Sequence, residues 1–170
     1  MLDVKGMLSI VSIIFIVVSC TSKQNVINDE EARTICNKLE EIYSNKNIEN
    51  ISDVLDSNYV LYSPFLKTGA RGLEVTTYNI QSNSRSFPDY SFKIDSFYVV
   101  DNNLFYFWNA TGTNTNLLGR MPSTGKSIDI NGLTVAKVKN GKIYEEHQFW
   151  NTMEFYTQLG FQIIPPQTEK

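Results

Sequence analysis

Four strand patterns in succession fill the second half of the chain, and they constrain its fold more than any other feature. Each pattern is rich in aromatic and β-branched residues, and turn-forming segments at 101–103 and 140–141 join the first to the second and the third to the fourth. Strands joined by such short turns pair antiparallel. The sequence therefore predicts an antiparallel meander whose strands cover residues 90–100, 104–116, 127–138 and 143–150.

Helical patterns precede the meander. Apolar residues recur at helical spacing over three segments, and a Phe-Pro-Asp sequence at 87–89 ends the third. A short strand is predicted between the second and third helices, where Pro64 stops it, and a last helix follows the meander and ends at Gly160. Helices followed by an antiparallel meander predict an α+β domain. The predicted helices cover residues 28 or 29 to 43, 48–55, 72–81 and 152–159, and the short strand covers 59–62.

Composition excludes several classes of function. The 170 residues are 42% hydrophobic and 12% aromatic, which is enough apolar material for a core. Fifteen basic and eighteen acidic side chains give a net charge of −3, so no nucleic-acid partner is predicted. One histidine and two cysteines predict neither a metal site nor a metal cofactor. Of the cysteines, Cys36 shares a helical stripe with Ile35 and Leu39 and is predicted to be a core residue.

The N-terminus carries the pattern of an export signal. Residues 7–18 form an apolar run of 12 residues, including two serines, which is shorter than the roughly 20 residues that a membrane span requires. The run ends at Val-Val-Ser-Cys, which resembles the lipobox of bacterial lipoproteins and predicts diacylation of Cys20. The alternatives are a generic signal peptide or a poor anchor in which this cysteine is incidental. Translation could start at Met1 or at Met7.

The predicted export signal and the predicted helices and strands divide the chain into four parts. Residues 1–19 are predicted to be a lipoprotein signal peptide, 20–28 a lipidated tether, 29–162 the folded domain and 163–170 a C-terminal tail. The acyl chains imply a partner, the membrane, and an anchored location in the periplasm, at the outer membrane or at the cell surface.

Short motifs in the predicted domain resemble one family in their order and spacing. Thr-Gly-Thr-Asn at 111–114, Pro-Ser-Thr-Gly-Lys at 122–126 and Asn-Gly-Lys-Ile-Tyr-Glu at 140–145 resemble the G-T-H, P-P-T-G-K and D-G-K-I-x-E segments of SnoaL-like polyketide cyclases. Gln-Leu-Gly at 158–160 is similar to the closing segment of that family, and Asn58 begins a strand similar to its D-Y-V-x-H-x-P. The resemblance covers roughly residues 30–162.

The resemblance implies a cone, in which a strongly curved antiparallel or mixed sheet wraps around the N-terminal helices, as in nuclear-transport-factor-2-like proteins. The open end of such a cone is an apolar pocket for a small apolar ligand. The resemblance implies no cofactor, and it is compatible with a homodimer formed through the sheet. The candidate pocket residues are Tyr62, Phe65, Trp108, Phe149 and Trp150, although plain core packing would also account for these aromatics.

The chain departs from the family at each position that would titrate. An aspartate late in the last strand is the general base of the family, and this chain has Asn151 there. An amide is not a base near neutral pH. Asn114 and Tyr62 stand in place of the family histidines, and His147 in place of the usual tryptophan. Strand alternation predicts that His147, Phe149 and Asn151 share one face, so His147 could point into the pocket as a substitute base.

Two classes of function follow. In one, the domain is a lipid-anchored binding module that keeps the pocket and has lost the family chemistry. In the other, it is an enzyme of cyclase or isomerase type, in which His147 acts as base while Asn114, Asn151 or Tyr62 polarises a carbonyl group. The position of His147 relative to the pocket discriminates between them.

Overall fold

A curved, unclosed sheet of six strands forms the framework of the domain. The computed structural model describes residues 26–162 and residue 164. The strands are β1 (Leu55–Ser63), β2 (Leu66–Arg71), β3 (Ser91–Val100), β4 (Asn103–Thr113), β5 (Ser127–Lys139) and β6 (Lys142–Trp150). The helices are α1 (Asp29–Asn45), α2 (Leu73–Ser86) and α3 (Thr152–Gln158), and a short 3-10 helix covers Ile48–Asp53.

The sheet has the order β2-β1-β6-β5-β4-β3. β3 to β6 pair antiparallel with their sequence neighbours, which confirms the predicted meander. β1 joins the meander by pairing parallel with β6, and β2 pairs antiparallel with β1 at the edge. With three helices and this mixed sheet, the predicted α+β class is confirmed.

The helices pack on the sheet through narrow apolar stripes. α1 lies against β3, α2 against β1, and α3 against β5. Asn28 begins α1 with a capping box, in which its side chain accepts from the backbone N–H of Glu31 while the Glu31 carboxylate accepts from that of Asn28. Cys36 lies on the buried stripe of α1, as predicted, and is 4% exposed. Burial raises the pKa of its thiol to about 12, as expected for an unreactive core cysteine.

Strand alternation fixes which side chains face the helices. On β4 the buried side chains are every second residue, and they include Leu104, Tyr106 and Trp108. Trp108 crosses over Gly132 of β5, its partner in register, and its ring occupies the space where a Cβ of residue 132 would lie. Glycine at this position therefore lets the tryptophan ring lie against the sheet.

Two elements differ from the sequence prediction. Residues 48–55 were expected to form one helix, but the helix ends at Asp53 and β1 begins at Leu55, since pairing with β6 overrides the local helical pattern. The edge strand β2 was not predicted, because its sequence contains Lys67, Gly69 and little β-branched character. It exists through its pairing with β1.

Several N-terminal predictions lie outside the described residues. These are the signal peptide at 1–19, the lipidation site Cys20 and most of the tether. Within residues 26–162, no helix has both the length and the apolar character needed to cross a membrane.

Candidate functional site

A cavity of about 620 Å³ lies between the inner face of the sheet and the helices. Its walls are mainly aromatic and aliphatic, which is typical of a site for an apolar molecule. Its polar lining residues are five tyrosines, Ser63, Gln148, two asparagines of α2 and one glutamate. The aromatic lining residues are Tyr43, Phe65, Tyr78, Phe87, Tyr90, Phe92, Tyr106, Trp108, Trp150, Phe155 and Tyr156.

Two cross-strand rows of β4, β5 and β6 contribute side chains to the sheet side of the cavity. In one row, Tyr106 pairs with Thr134, which pairs with Gln148. In the next row, Trp108 and Trp150 flank Gly132. The row with the glycine therefore presents two indole rings, and the row with Thr134 presents hydroxyl and amide groups.

Aromatic contacts hold the part of the cavity wall that β6 and α3 share. The ring centre of Phe65 lies 5.3 Å from that of Trp150 and 6.3 Å from that of Tyr156, and both contacts are edge-to-face. Trp150 in turn contacts Phe155 of α3, at 5.7 Å between ring centres. Phe65 is nevertheless 57% exposed, so it lies where the cavity meets solvent.

Charged side chains are scarce in the described lining of the cavity. Glu74 contributes the carboxylate of the described lining, and it is exposed. Burial raises the pKa of the Tyr90 hydroxyl well above its usual range, and the neighbouring Asn83 side chain partly opposes that rise. Among the residues that the structure describes, no group of three or more histidine, cysteine or acidic side chains could hold a metal ion.

Three of the five predicted pocket residues line this cavity. These are Phe65, Trp108 and Trp150. The other two, Tyr62 and Phe149, are not among the lining residues, because strand alternation directs them to the outer face of the sheet. Phe149 is 56% exposed there.

His147 also lies on the outer face, contrary to the expectation that it points into the pocket. Its ring stacks on that of Tyr62, with 4.4 Å between ring centres. Its Nε2 lies 2.9 Å from Glu145 Oε1, and the same oxygen forms a salt bridge of 2.8 Å with Lys137 Nζ. Hydrogen bonds from Lys137 and then His147 lower the pKa of Glu145. The residues of β6 that line the cavity are instead Gln148 and Trp150.

Asn151 caps a helix and does not line the cavity. Its Oδ1 accepts hydrogen bonds of 3.1 Å from the backbone N–H groups of Met153 and Glu154, at the start of α3. The residue is exposed. The expected role at the pocket wall is therefore replaced by a structural one.

Asn114 is buried and supports a loop. Its Nδ2 donates to the carbonyl oxygens of Ser86 and Asn116, at 3.2 and 2.8 Å, and its Oδ1 accepts from the backbone N–H of Thr124 at 2.8 Å. These bonds tie the segment between β4 and β5 to the end of α2. The side chain is fully used in this way and is not among those that line the cavity.

A buried acidic residue beside the cavity was not predicted as a site residue from the sequence. Glu146 lies on the inner face of β6 and is 2% exposed. Tyr59 donates a hydrogen bond to its Oε2 at 2.5 Å, and Tyr106, which lines the cavity, donates to its Oε1 at 2.6 Å. The signal was its spacing of four residues from Trp150, which places both side chains on one face of the strand.

Burial dominates the electrostatics of this cluster. Desolvation raises the pKa of the Glu146 carboxyl group above its usual range, although the hydrogen bonds from Tyr106 and Tyr59 oppose the rise. Burial and the neighbouring carboxylate raise the pKa values of both tyrosine hydroxyls well above 10.0. The tyrosines therefore remain neutral hydrogen-bond donors.

The unclosed curved sheet, with helices and a cavity on its inner side, defines a nuclear-transport-factor-2-like α+β cone, and solved structures share it. TsrD from Streptomyces laurentii superposes with a TM-score of 0.72 at 14% identity, covering 79% of this chain and 98% of its own. A protein of Acidithiobacillus ferrooxidans assigned to the polyketide cyclases gives 0.68 at 24% identity, covering 79% and 97%. An epoxide hydrolase of M. tuberculosis described as LEH-like gives 0.60 at 12% identity, covering 76% and 90%. At these identities the likeness is one of fold.

The amino-acid sequence matches one family within the group of proteins that share this fold. Residues 33–159 match the family model of the SnoaL-like polyketide cyclases, which is more than half of the 170 residues. The chain therefore belongs to the SnoaL-like polyketide cyclase family. None of the curated proteins matches the chain significantly.

Proposed function

We propose that this SnoaL-like domain binds a small, largely apolar ligand in its cavity without the aspartate-based chemistry of its family. The observation that carries the proposal is a cavity of about 620 Å³ with aromatic walls, whose lining includes neither His147 nor Asn151. A volume of several hundred Å³ is that of ordinary small-molecule sites. Aromatic side chains supply most of the contact surface, and the scattered polar groups orient the ligand.

The enzyme alternative needs a base within hydrogen-bond reach of the ligand. His147 is the single histidine of the chain, and its ring stacks on Tyr62 and is hydrogen-bonded to Glu145 on the opposite face of β6. Asn151 is an amide whose oxygen already caps α3. The one candidate base of the sequence analysis, His147, is therefore not in a position to remove a proton from a molecule in the cavity, and the binding function is favoured.

Two exposed phenylalanines provide a matched test of where an apolar probe binds. Phe65 and Phe149 are 57% and 56% exposed, but only Phe65 lines the cavity. In titrations with the fluorescent probe N-phenyl-1-naphthylamine, we expect Phe65→Ala to weaken binding by roughly tenfold, since a buried aromatic contact contributes about 1–2 kcal/mol. Phe149→Ala should leave affinity within about twofold, the usual scale for changes outside a contact surface. Equal effects of the two substitutions would contradict cavity binding.

We also propose that Cys20 anchors the domain to a membrane through acyl chains. The support is the sequence Val-Val-Ser-Cys at 17–20, directly after the apolar run. In cells, Cys20→Ala should abolish incorporation of labelled fatty acid and release the protein from the membrane fraction, since the acyl chains supply the membrane affinity. Cys36→Ala is the matched control and should still be labelled. A labelled, cleaved Cys20→Ala protein would contradict the proposal.

We also propose that the domain forms a homodimer through the outer face of the sheet. Phe107, Leu133 and Phe149 form one cross-strand row, and Phe107 and Phe149 are 44% and 56% exposed. The ion-paired Lys137 and Glu145 lie on this face too, so a second copy related by two-fold symmetry can place unlike charges opposite each other. We expect sedimentation of the cleaved domain to give a dimer and Phe149→Asp to give a monomer. A monomeric wild type would contradict this pairing.

A further inference from the structure

Glu146 is a buried carboxyl group without a cationic partner in the described part of the chain. Both salt bridges found there involve Glu145, its neighbour on the opposite face of β6. The titratable groups that act on Glu146 are hydroxyls of three elements: Tyr43 from α1, Tyr59 from β1 and Tyr106 from β4. An unpaired carboxylate in such surroundings is costly, and the protonated form is favoured.

The protonation state of Glu146 decides what the Tyr106 hydroxyl can do. With Glu146 ionised, the Tyr106 O–H points at Oε1. With a proton on Oε1, the carboxylic acid donates to the Tyr106 oxygen instead, while Oε2 still accepts from Tyr59. The O–H of Tyr106 is then free to turn towards another acceptor. Because Tyr106 lines the cavity, that acceptor can belong to a ligand.

The neighbouring hydroxyl supports the same arrangement. Trp108 Nε1 donates to Thr134 Oγ1 at 3.0 Å, so the proton of Thr134 must be directed elsewhere. Thr134 is the register partner of Tyr106 on β5, and its side chain partly opposes the rise in the pKa of the Tyr106 hydroxyl, as a hydrogen-bond donor does. Thr134 and a protonated Glu146 are thus both suited to donate to Tyr106, whose oxygen has two lone pairs to receive them.

We propose that Tyr106 donates a hydrogen bond to an oxygen acceptor of the ligand, such as a carbonyl group, and that a proton on Glu146 enables it. The proposal rests on the proposed function and specifies its ligand as an apolar molecule with an accepting oxygen. Ligand binding then takes up one proton from solvent whenever Glu146 is ionised beforehand. A hydrocarbon of the same shape leaves the Tyr106 O–H without an acceptor and binds less tightly.

Two probes of nearly equal shape test the proposal. 2-Acetylnaphthalene has a C=O group where 2-isopropenylnaphthalene has a C=CH₂ group. Equilibrium dialysis against the whole mature protein gives the affinity for each probe. At low pH we expect wild type to prefer the ketone by about fivefold, the equivalent of one neutral hydrogen bond. Tyr106→Phe should abolish that preference by weakening the binding of the ketone, while the affinity for the alkene stays unchanged. Tyr59→Phe is the matched control, since it removes a hydroxyl from Glu146 at a residue that does not line the cavity, and it should retain the preference.

The second arm varies pH. As pH is raised step by step from acidic to alkaline values, through the raised pKa of Glu146, the wild-type preference for the ketone should fall as Glu146 loses its proton. In Glu146→Gln the amide N–H donates permanently to Tyr106, so the preference should be constant with pH. This variant keeps the inference testable if Tyr106→Phe does not fold.

The possible failures are distinguishable. If neither probe binds, the proposed function is wrong and the inference falls with it. If both probes bind but Tyr106→Phe keeps the ketone preference, the cavity function stands and the role of Tyr106 is wrong. A wild-type preference that stays constant with pH, with Glu146→Gln lacking any preference, would overturn the role of Glu146.

Discussion

At the scale of single residues, Asn151 shows that one position can keep a structural role without a titratable side chain. The family pattern has an aspartate at this position, and both aspartate and asparagine are good N-cap residues. In this chain the amide oxygen accepts from two backbone N–H groups at the start of α3. An asparagine thus preserves a helix cap while removing a titratable group. The position can remain structurally important in a domain that lacks the base.

This role predicts a loss of stability without a loss of binding. Asn151→Ala removes the cap, and we expect it to reduce the free energy of unfolding by about 1 kcal/mol. The affinity for N-phenyl-1-naphthylamine should stay unchanged, because the side chain does not line the cavity. Urea unfolding and a probe titration measure the two quantities. Asn151→Asp is the control and should be as stable as wild type, whereas an Asn151→Ala protein of wild-type stability would contradict the capping role.

Glu146 predicts an unusual pH dependence of stability. Its pKa is raised in the folded state, so between its ordinary value of 4.5 and the folded value the unfolded chain binds fewer protons than the folded one. The stabilising contribution is complete below the ordinary pKa and is lost as pH rises through the folded pKa. Wild type should therefore lose stability relative to Glu146→Gln as pH rises above 4.5, as measured by urea unfolding at several pH values. A stability difference that stays constant, or changes the other way, would contradict a raised pKa.

At the scale of elements, the meander and the main helices could be predicted from the sequence. Which face of β6 points towards the helices could not. Both faces of β6 carry aromatic and charged residues, with Tyr144 and Phe149 exposed and Glu146 and Trp150 directed inward. Alternation alone therefore could not choose between them, and choosing wrongly reverses every side chain of the strand. Pairing with Thr134 and Gly132 of β5 decides the face, and such long-range pairing is not visible in the local pattern.

The same limit explains which parts of the site were predictable. Trp108 and Trp150 were among the aromatics that the family resemblance placed at a pocket, and the pairing of both strands with β5 puts them on the inner face. Asn114 and Asn151 were singled out by family position, but their roles depend on backbone groups of a loop and of a helix that the motifs do not reveal. Tyr106 and Tyr59 precede Glu146 by 40 and 87 positions in the chain. The local pattern of β6 can place Glu146 on the same face as Trp150, but it does not reveal that these two tyrosines contact it.

The pairing of β4 with β5 makes a prediction about cavity shape. A Cβ at residue 132 would overlap the ring of Trp108, so Gly132→Ala must displace that ring from the sheet. We expect a loss of about 1–3 kcal/mol in the free energy of unfolding, as for other overpacked cores. The displaced ring should also reduce affinity for N-phenyl-1-naphthylamine. Asn131→Ala, at the exposed neighbouring position, serves as the control, and a Gly132→Ala protein with wild-type stability and affinity would show that the ring has room to move.

At the scale of the whole molecule, the two faces of the curved sheet carry different groups. The inner face and the helices enclose a cavity with the Glu146 cluster beside it, and the outer face carries His147, Glu145 and exposed aromatics. The proposed anchor at Cys20 would hold this cone at a membrane surface.

The two tryptophans allow the central claim to be measured in the wild-type protein. Trp108 and Trp150 are the tryptophans of the chain, and both line the cavity. If N-phenyl-1-naphthylamine binds there, excitation of tryptophan should give saturable energy transfer to the probe, and transfer should vanish when the protein is unfolded in urea. Saturable probe binding without tryptophan energy transfer, or transfer that rises linearly without saturation, would contradict ligand binding in the cavity.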